Sequence, residues 1–338
     1  MKSPLIILST HFGTNFSGGT LATHETFYHI QDDFSKVIFV GKKVGVHHFN
    51  NLEFLPYRNI IDACLKLKRL KKNYPEGIFF GDFYMSYFFV LVNTPFYFAY
   101  HDNWPEMGNF GWLNRMRSWF FVPIYRLIIN QALWTFTVSK FKLNYVRAIS
   151  KNSSLVRNGT SLDSPPHDHK EKKDCRRLLM LGNIDDRKYG LAPEVLKSLI
   201  SESPFLEIDM YGHPPNQRLA KVLSDIPGVH IKGFTKKVEW HLYDAMLTTS
   251  KMENLAISVV EALKMGLPVF GYDVGGLNEV VENDANGFLA PLGDKMVLIE
   301  KIKEFGLSGK HSYNSDTLVE FDWKIAAQKY QQKILDHA

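Results

Sequence analysis

Short apolar runs alternate along this chain with longer stretches whose apolar positions repeat every three to four residues. That is the pattern of buried strands feeding amphipathic helices. In the first half, strands fit residues 5–9, 37–40, 53–55, 77–80, 96–100, 134–138 and 154–156. Helices fit 21–30, 59–73, 84–92, 112–133 and 140–149. An Asn158-Gly159 turn and a polar run over 161–174 interrupt the alternation. It restarts with a strand at 177–181, a helix from 190 to about 203, and strands at 206–211, 230–232 and 245–249. Two such series predict two domains, 1–160 and 161–320, each a parallel sheet covered on both faces. An amphipathic helix entered through Asp322 follows in 321–338. Ligands of such sheets bind beyond the carboxyl ends of the strands. The loops at 11–20, after residue 100, and at 182–190 therefore come into view.

The densest pattern lies over residues 250–289. A polar loop, Ser250 to Asn254, feeds a helix whose apolar positions Ile257, Val260 and Leu263 keep helical spacing. Gly266 ends that helix, and Pro268 enforces the stop. A short buried strand over 267–271 follows, and a glycine turn at Gly275-Gly276 is read as opening another helix. Unpaired backbone N–H groups at the first helix start suit a phosphate. Glu253 precedes that helix and Glu261 lies inside it; eight residues of helix rise about 12 Å. That gap suits two hydroxyl-bearing groups joined by a diphosphate, since a carboxylate accepts two hydroxyl donors at once. Such a pair alone is more often two solvated glutamates.

With their surroundings, these residues resemble the signature of retaining glycosyltransferases of family 4, enzymes of the GT-B fold. The shared marks are Glu253, seven residues and Glu261, then Ala262, Gly266, Pro268, Val269, Gly275, Gly276, Glu279 and the Asn286-Gly287 pair. The chain departs at Asn254, where the family usually has Gly, and at Asn183, where it has Arg. The resemblance implies two Rossmann-like domains with a deep interdomain cleft, and a C-terminal helix crossing back to the first. It implies metal-independent transfer from a nucleotide-sugar, a UDP- or GDP-sugar, with no cofactor, to a glycan or lipid-linked acceptor in bacterial surface polysaccharide synthesis. Glu253 and the backbone at Asn254, Leu255 and Ala256 would meet the donor sugar, and Glu261 the ribose. Lys188, with Arg187 standing in for the missing Arg, would hold the diphosphate. Gly18-Gly19, read as a loop before the first helix, would close over it, and His101 would lie beside the sugar.

Composition narrows the alternatives. Apolar content of 45% and charged content of 22% describe a globular chain. Two cysteines suit a reducing, cytoplasmic setting rather than a disulfide framework. Residues 1–160 hold 18 Lys and Arg against 9 Asp and Glu, whereas residues 161–338 hold 22 against 26. A basic half suits anionic partners such as membrane headgroups or diphosphate-linked acceptors; nucleic acid is not expected. The densest basic run is 66–72. The stretch 112–133 mixes arginines with Trp and Phe, and suits a membrane interface or an ordinary half-buried helix. There is no Gly-x-Gly-x-x-Gly after a strand, no Asp-x-Asp and no Ser-His-Asp set. Two rival readings stand beside the transferase. One is a non-catalytic GT-B partner of an active transferase, favoured by Asn183; the other is a nucleotide-sugar epimerase.

Overall fold

A computed structural model describes residues 2–162, 176–235, 237–308 and 318–336. The chain forms two compact units, one of residues 1–159 with 320–338 and one of residues 160–319.

The first unit runs β1 (Leu5–Leu8), β2 (His11–Phe12), α1 (Gly18–Tyr28), β3 (Val37–Gly41), β4 (Lys43–Val44), β5 (Leu52–Pro56), α2 (Ile60–Asn73), β6 (Ile78–Asp82) and α3 (Tyr87–Leu91). It continues through β7 (Tyr97–Tyr100), α4 (Trp112–Gln131), β8 (Trp134–Thr137), α5 (Lys140–Arg147) and β9 (Ser153–Leu155). Seven of these strands make one parallel sheet in the order β5-β3-β1-β6-β7-β8-β9. Every residue of β1, β3 and β7 is buried, which reflects helices on both faces. The core between α2, α3, α4 and the sheet gathers Leu67, Phe89, Phe98, Tyr125 and Ile128.

The second unit runs β10 (Arg177–Leu181), α6 (Asp186–Tyr189), α7 (Ala192–Glu202), β11 (Glu207–Tyr211), α8 (Gln217–Ser224) and β12 (Val229–Gly233). After these come β13 (Ala245–Thr248), α9 (Ile257–Lys264), β14 (Val269–Tyr272), β15 (Gly287–Ala290) and α10 (Lys295–Ser308). Its six strands are parallel in the order β12-β11-β10-β13-β14-β15. Strand order reverses between β10 and β13 here, and between β1 and β6 in the first unit. Those reversals open the crevices where doubly wound sheets take ligands.

The last helix, α11 (Trp323–Leu335), belongs to the first unit, where it packs on α1. Asp322 caps its first turn. Tyr330 stacks on Phe136 with ring centroids 4.0 Å apart, and Tyr97 donates to the Ile334 carbonyl at 3.1 Å. The Asn158-Gly159 turn gains a reason, because a Cβ on Gly159 would stand 2.2 Å from the Trp323 nitrogen.

Three local readings change. Gly18 and Gly19 do not precede the first helix. They form its first turn, with Ser17 as the cap accepting from the Thr20 N–H. Gly275-Gly276 opens only a single 3-10 turn, Leu277–Glu279, because Val280 leaves helical backbone angles. Finally the helices α8 and α10, the strand β15 and the β2/β4 ribbon were not predicted; the strands, two to four residues long, are too short for periodicity to register. The expected linker lies mostly outside the described residues.

Candidate active site

In the second unit the reversal of strand order brings two loops together, the one after β10 and the one after β13. Gly182 ends β10 at φ +142°, and a Cβ there would stand 2.7 Å from the Lys188 side chain. Gly212, after β11, lies so close that its Cβ would meet the Gly182 carbonyl oxygen at 1.9 Å. The chain then enters α6, where the Asp185 carboxylate accepts from the Lys188 N–H at 2.9 Å. Lys251 N–H donates to the Arg187 carbonyl at 2.8 Å, and the Thr249 hydroxyl donates to the Lys188 carbonyl at 3.1 Å. These bonds fix the β10 loop against the β13 loop.

The result is a charge cluster on Glu253. Its Oε1 accepts from Ser250 Oγ at 2.9 Å, Lys188 Nζ at 3.1 Å and Arg187 Nη1 at 3.2 Å. Arg187 also donates to the Met252 carbonyl at 2.9 Å, which fixes its guanidinium in place. Burial alone would raise the Glu253 carboxyl, but Lys188 and then Arg187 outweigh it, and the group lies below the usual carboxylate range. A buried carboxylate facing two cations remains ionised. Arg187 therefore does point where Lys188 points, although neighbours on a helix ordinarily diverge.

Around this cluster, Asn254, Leu255 and Ala256 are buried. Ala256 precedes α9, and no side chain caps that helix. Gly275, at φ +61°, lies over Glu253, and a Cβ there would overlap the Glu253 carbonyl oxygen at 1.6 Å. Glu261, the fifth residue of α9, keeps part of its surface open while protein surrounds most of its carboxyl. Burial pushes that carboxyl up to about 7. Asn183 is exposed.

Gly18, Gly19 and His101 belong to the first unit. Gly19 and His101 meet there: a Cβ on Gly19 would stand 2.8 Å from the Phe83 ring and 2.9 Å from His101 Cβ. His101 follows β7, and the protein packed around its ring pushes its pKa down to about 4. Its imidazole is neutral at physiological pH. The adjoining Asp102 accepts from the Tyr125 hydroxyl and, at 2.8 Å, from the Asn103 N–H. Lys142, buried beneath this loop, holds the Trp104 carbonyl at 2.7 Å and pairs with Glu106. Sequence reasoning did not single out Ser250 or Phe83, residue types with many ordinary uses, and reached Gly182 only as the start of the 182–190 loop. Among the described residues no group of three His, Cys, Asp or Glu side chains is placed to hold a metal ion. No described helix is long and apolar enough to cross a membrane.

Two parallel-sheet Rossmann-like units with this strand order define the GT-B fold of glycosyltransferases. Residues 175–305 match the family model described as glycosyl transferases group 1. Among curated proteins, the chain is 25% identical over 203 residues to the O-antigen biosynthesis glycosyltransferase WbnH of Escherichia coli, covering 59% of this chain. The match spans 57% of the length of WbnH. Among solved structures it resembles sucrose-phosphate synthase from Thermosynechococcus elongatus, with a TM-score of 0.78, 16% identity and coverage of 99% and 98%. It also resembles Anabaena HepE in complex with UDP and glucose, with a TM-score of 0.75, 13% identity and coverage of 99% and 100%.

Proposed function

We propose that this protein is a retaining, metal-independent glycosyltransferase. It moves a hexosyl or N-acetylhexosaminyl group from a UDP- or GDP-sugar to a glycan or lipid-linked acceptor of bacterial surface polysaccharide, in the cytoplasm at the inner face of the membrane. The observation that carries this reading is the Glu253 cluster at the switch between β10 and β13, with Lys188 and Arg187 converging on one carboxylate oxygen. HepE, seen with UDP and glucose, and WbnH, named for O-antigen biosynthesis, support the donor and acceptor classes.

The chemistry follows from charge. A diphosphate leaving group gathers negative charge as the glycosidic bond breaks, and preorganised cations stabilise it in the transition state. Lys188 and Arg187 are such cations. Glu253 keeps their charge compensated in the free protein, and its second carboxylate oxygen is available to sugar hydroxyls. The N–H groups opening α9 favour an anion as well. His101, neutral, can donate or accept one hydrogen bond without adding charge. The accessory-partner reading rested on Asn183, and Arg187 supplies the cation that Asn183 lacks.

Calorimetric titration with nucleotides and nucleotide-sugars, without added metal, tests the site. We expect one nucleotide family to bind and Lys188→Ala to weaken it by about 10- to 100-fold, since a charged hydrogen bond is worth about 1.5–3 kcal/mol. The product's anomeric configuration by NMR then decides retention. Isomerisation of the donor without acceptor would install the epimerase reading. Failure of every nucleotide to bind would install the accessory one.

A further inference from the structure

Lys142 sits where neither helix nor core favours a cation. It is the third residue of α5, so its charge lies at the positive end of that helix dipole, and the first turn has no acidic residue to offset it. Its side chain is 1% exposed, and a lysine is almost never buried so completely without a partner. Burial lowers the pKa of its ammonium, and Glu106 opposes that shift. A buried ion pair returns about what its desolvation costs, and apolar side chains of similar volume often serve a fold as well or better. Fold stability therefore does not account for this lysine. The groups it holds do.

Those groups belong to the loop that leaves β7 at His101. The ammonium donates to the Trp104 carbonyl at 2.7 Å and pairs with Glu106. It lies 5.4–5.8 Å from the rings of Tyr100, Phe141 and Tyr145. Three donors on one ammonium let it hold a carbonyl and a carboxylate together. The Tyr100 hydroxyl donates to the same carbonyl, the Tyr125 hydroxyl donates to Asp102, and the Trp104 ring stacks on Phe121 at 5.2 Å. β7, α4 and α5 thus each send an anchor to residues 102–106. The loop's own bonds are local, from the Asn103 N–H to the Asp102 carboxylate and from the Met107 N–H to the Asn103 carbonyl. Bonds of that span leave a chain many conformers, and fixing one costs entropy at every residue. The anchors from beneath select one.

We propose that Lys142 is a positioning residue, whose ammonium fixes the path of residues 102–106 and, through it, the orientation of the His101 imidazole at the head of the loop. It holds two residues, Trp104 and Glu106, where each tyrosine anchor holds one. Methionine would fill the same space and hold neither. One consequence rests on the function proposed above, in which His101 offers a hydrogen bond during transfer. A loop that wanders takes that hydrogen bond out of place, and a misplacement of about 1 Å costs about 100-fold in rate. The effect on the loop itself does not depend on the reaction.

Lys142→Met and Lys142→Met/Glu106→Gln test this in the full-length protein, the second leaving no carboxylate unpaired. In both, hydrogen exchange of the peptide spanning residues 101–107 is expected to quicken about tenfold or more, since a charged hydrogen bond is lost. The His101 ring resonances should shift. The melting temperature and the nucleotide affinity should stay at the parent's, the latter because Lys188 and Arg187 lie in the second unit. Release of nucleoside diphosphate from the nucleotide-sugar that the parent binds should show a kcat lower by about 10- to 100-fold. Unchanged exchange and His101 resonances in the double variant would overturn the proposal. So would a lower melting temperature with exchange rising equally through β7, which would make Lys142 a prop of the whole fold. A loosened loop with unchanged kcat would overturn the catalytic consequence. Should the parent release nucleoside diphosphate from no nucleotide-sugar, the function proposed above fails, and exchange with the ring resonances still decides the role of Lys142.

Discussion

At the scale of single residues, the two glutamates of the signature stand in opposite electrostatic states. Glu253 is held ionised by Lys188 and Arg187, whereas Glu261 has burial and no cation, and titrates near 7. The sign follows from linkage. A carboxyl whose folded pKa is raised binds protons more tightly when folded, so its stability contribution is complete below about 4.5 and is lost as pH rises through 7. Ligand binding should run the other way, because a ribose hydroxyl donates to the ionised carboxylate. We expect the free protein's melting temperature to fall between pH 5 and 8 while affinity for a nucleotide-sugar rises; the diphosphate diester has no proton to lose in that range. In Glu261→Gln both slopes should flatten. Slopes identical to the parent's would remove Glu261 from ligand contact. That Glu253 and Glu261 share one ligand is an expectation carried by their surroundings and the resemblance rather than by their spacing alone. Their electrostatic difference was not legible, since it depends on which side chains converge from the β10 loop.

Among the elements, α1 shows a local preference yielding to its surroundings. Two glycines in a first helical turn carry a propensity cost, and Gly→Ala in a helix ordinarily gains up to about 1 kcal/mol. At Gly19 the added methyl would meet Phe83 and His101 at 2.8 and 2.9 Å, groups fixed by β6 and β7. Gly19→Ala should therefore destabilise by about 1–3 kcal/mol, as overpacking does. Denaturant melts would show this, and the His101 ring resonances should shift. A stabilised variant would mean that this approach is looser than the geometry shows. Strands such as β1, β3 and β14 were readable because continuous apolar runs of their length have few other uses. Helix α4 was readable as a helix but not in its facing. Its Trp, Phe and Arg content permits either face to be buried, and only the packing of Phe121 on Trp104 and Tyr84 fixes which one is.

For the whole molecule, the chain leaves its first unit at residue 159 and returns at residue 320, so that unit is completed by a segment distant in sequence. The amphipathic pattern after Asp322 showed a helix, and only the family resemblance pointed it back to the first domain, because an apolar stripe does not itself say which sheet it covers. Tyr330 supplies the answer, lying between Phe27, Phe80 and Phe136 beneath α1. If α11 is an integral part of the first unit, removing that ring should unfold the unit rather than merely fray its end. Truncating a buried aromatic to Ala costs about 3–5 kcal/mol, a large share of the roughly 5–15 kcal/mol that holds a domain together. In Tyr330→Ala we expect the tryptophan fluorescence change of the first unit, which holds Trp104, Trp112, Trp119, Trp134 and Trp323 while the second unit holds Trp240, to occur at markedly lower denaturant. Amides of β10 and β13 should keep their parent exchange protection. Parallel weakening of both units would mean that the two fold as one cooperative block. No weakening of either would mean that α11 is a loosely held strap, and the aromatic contact under α1 a minor one.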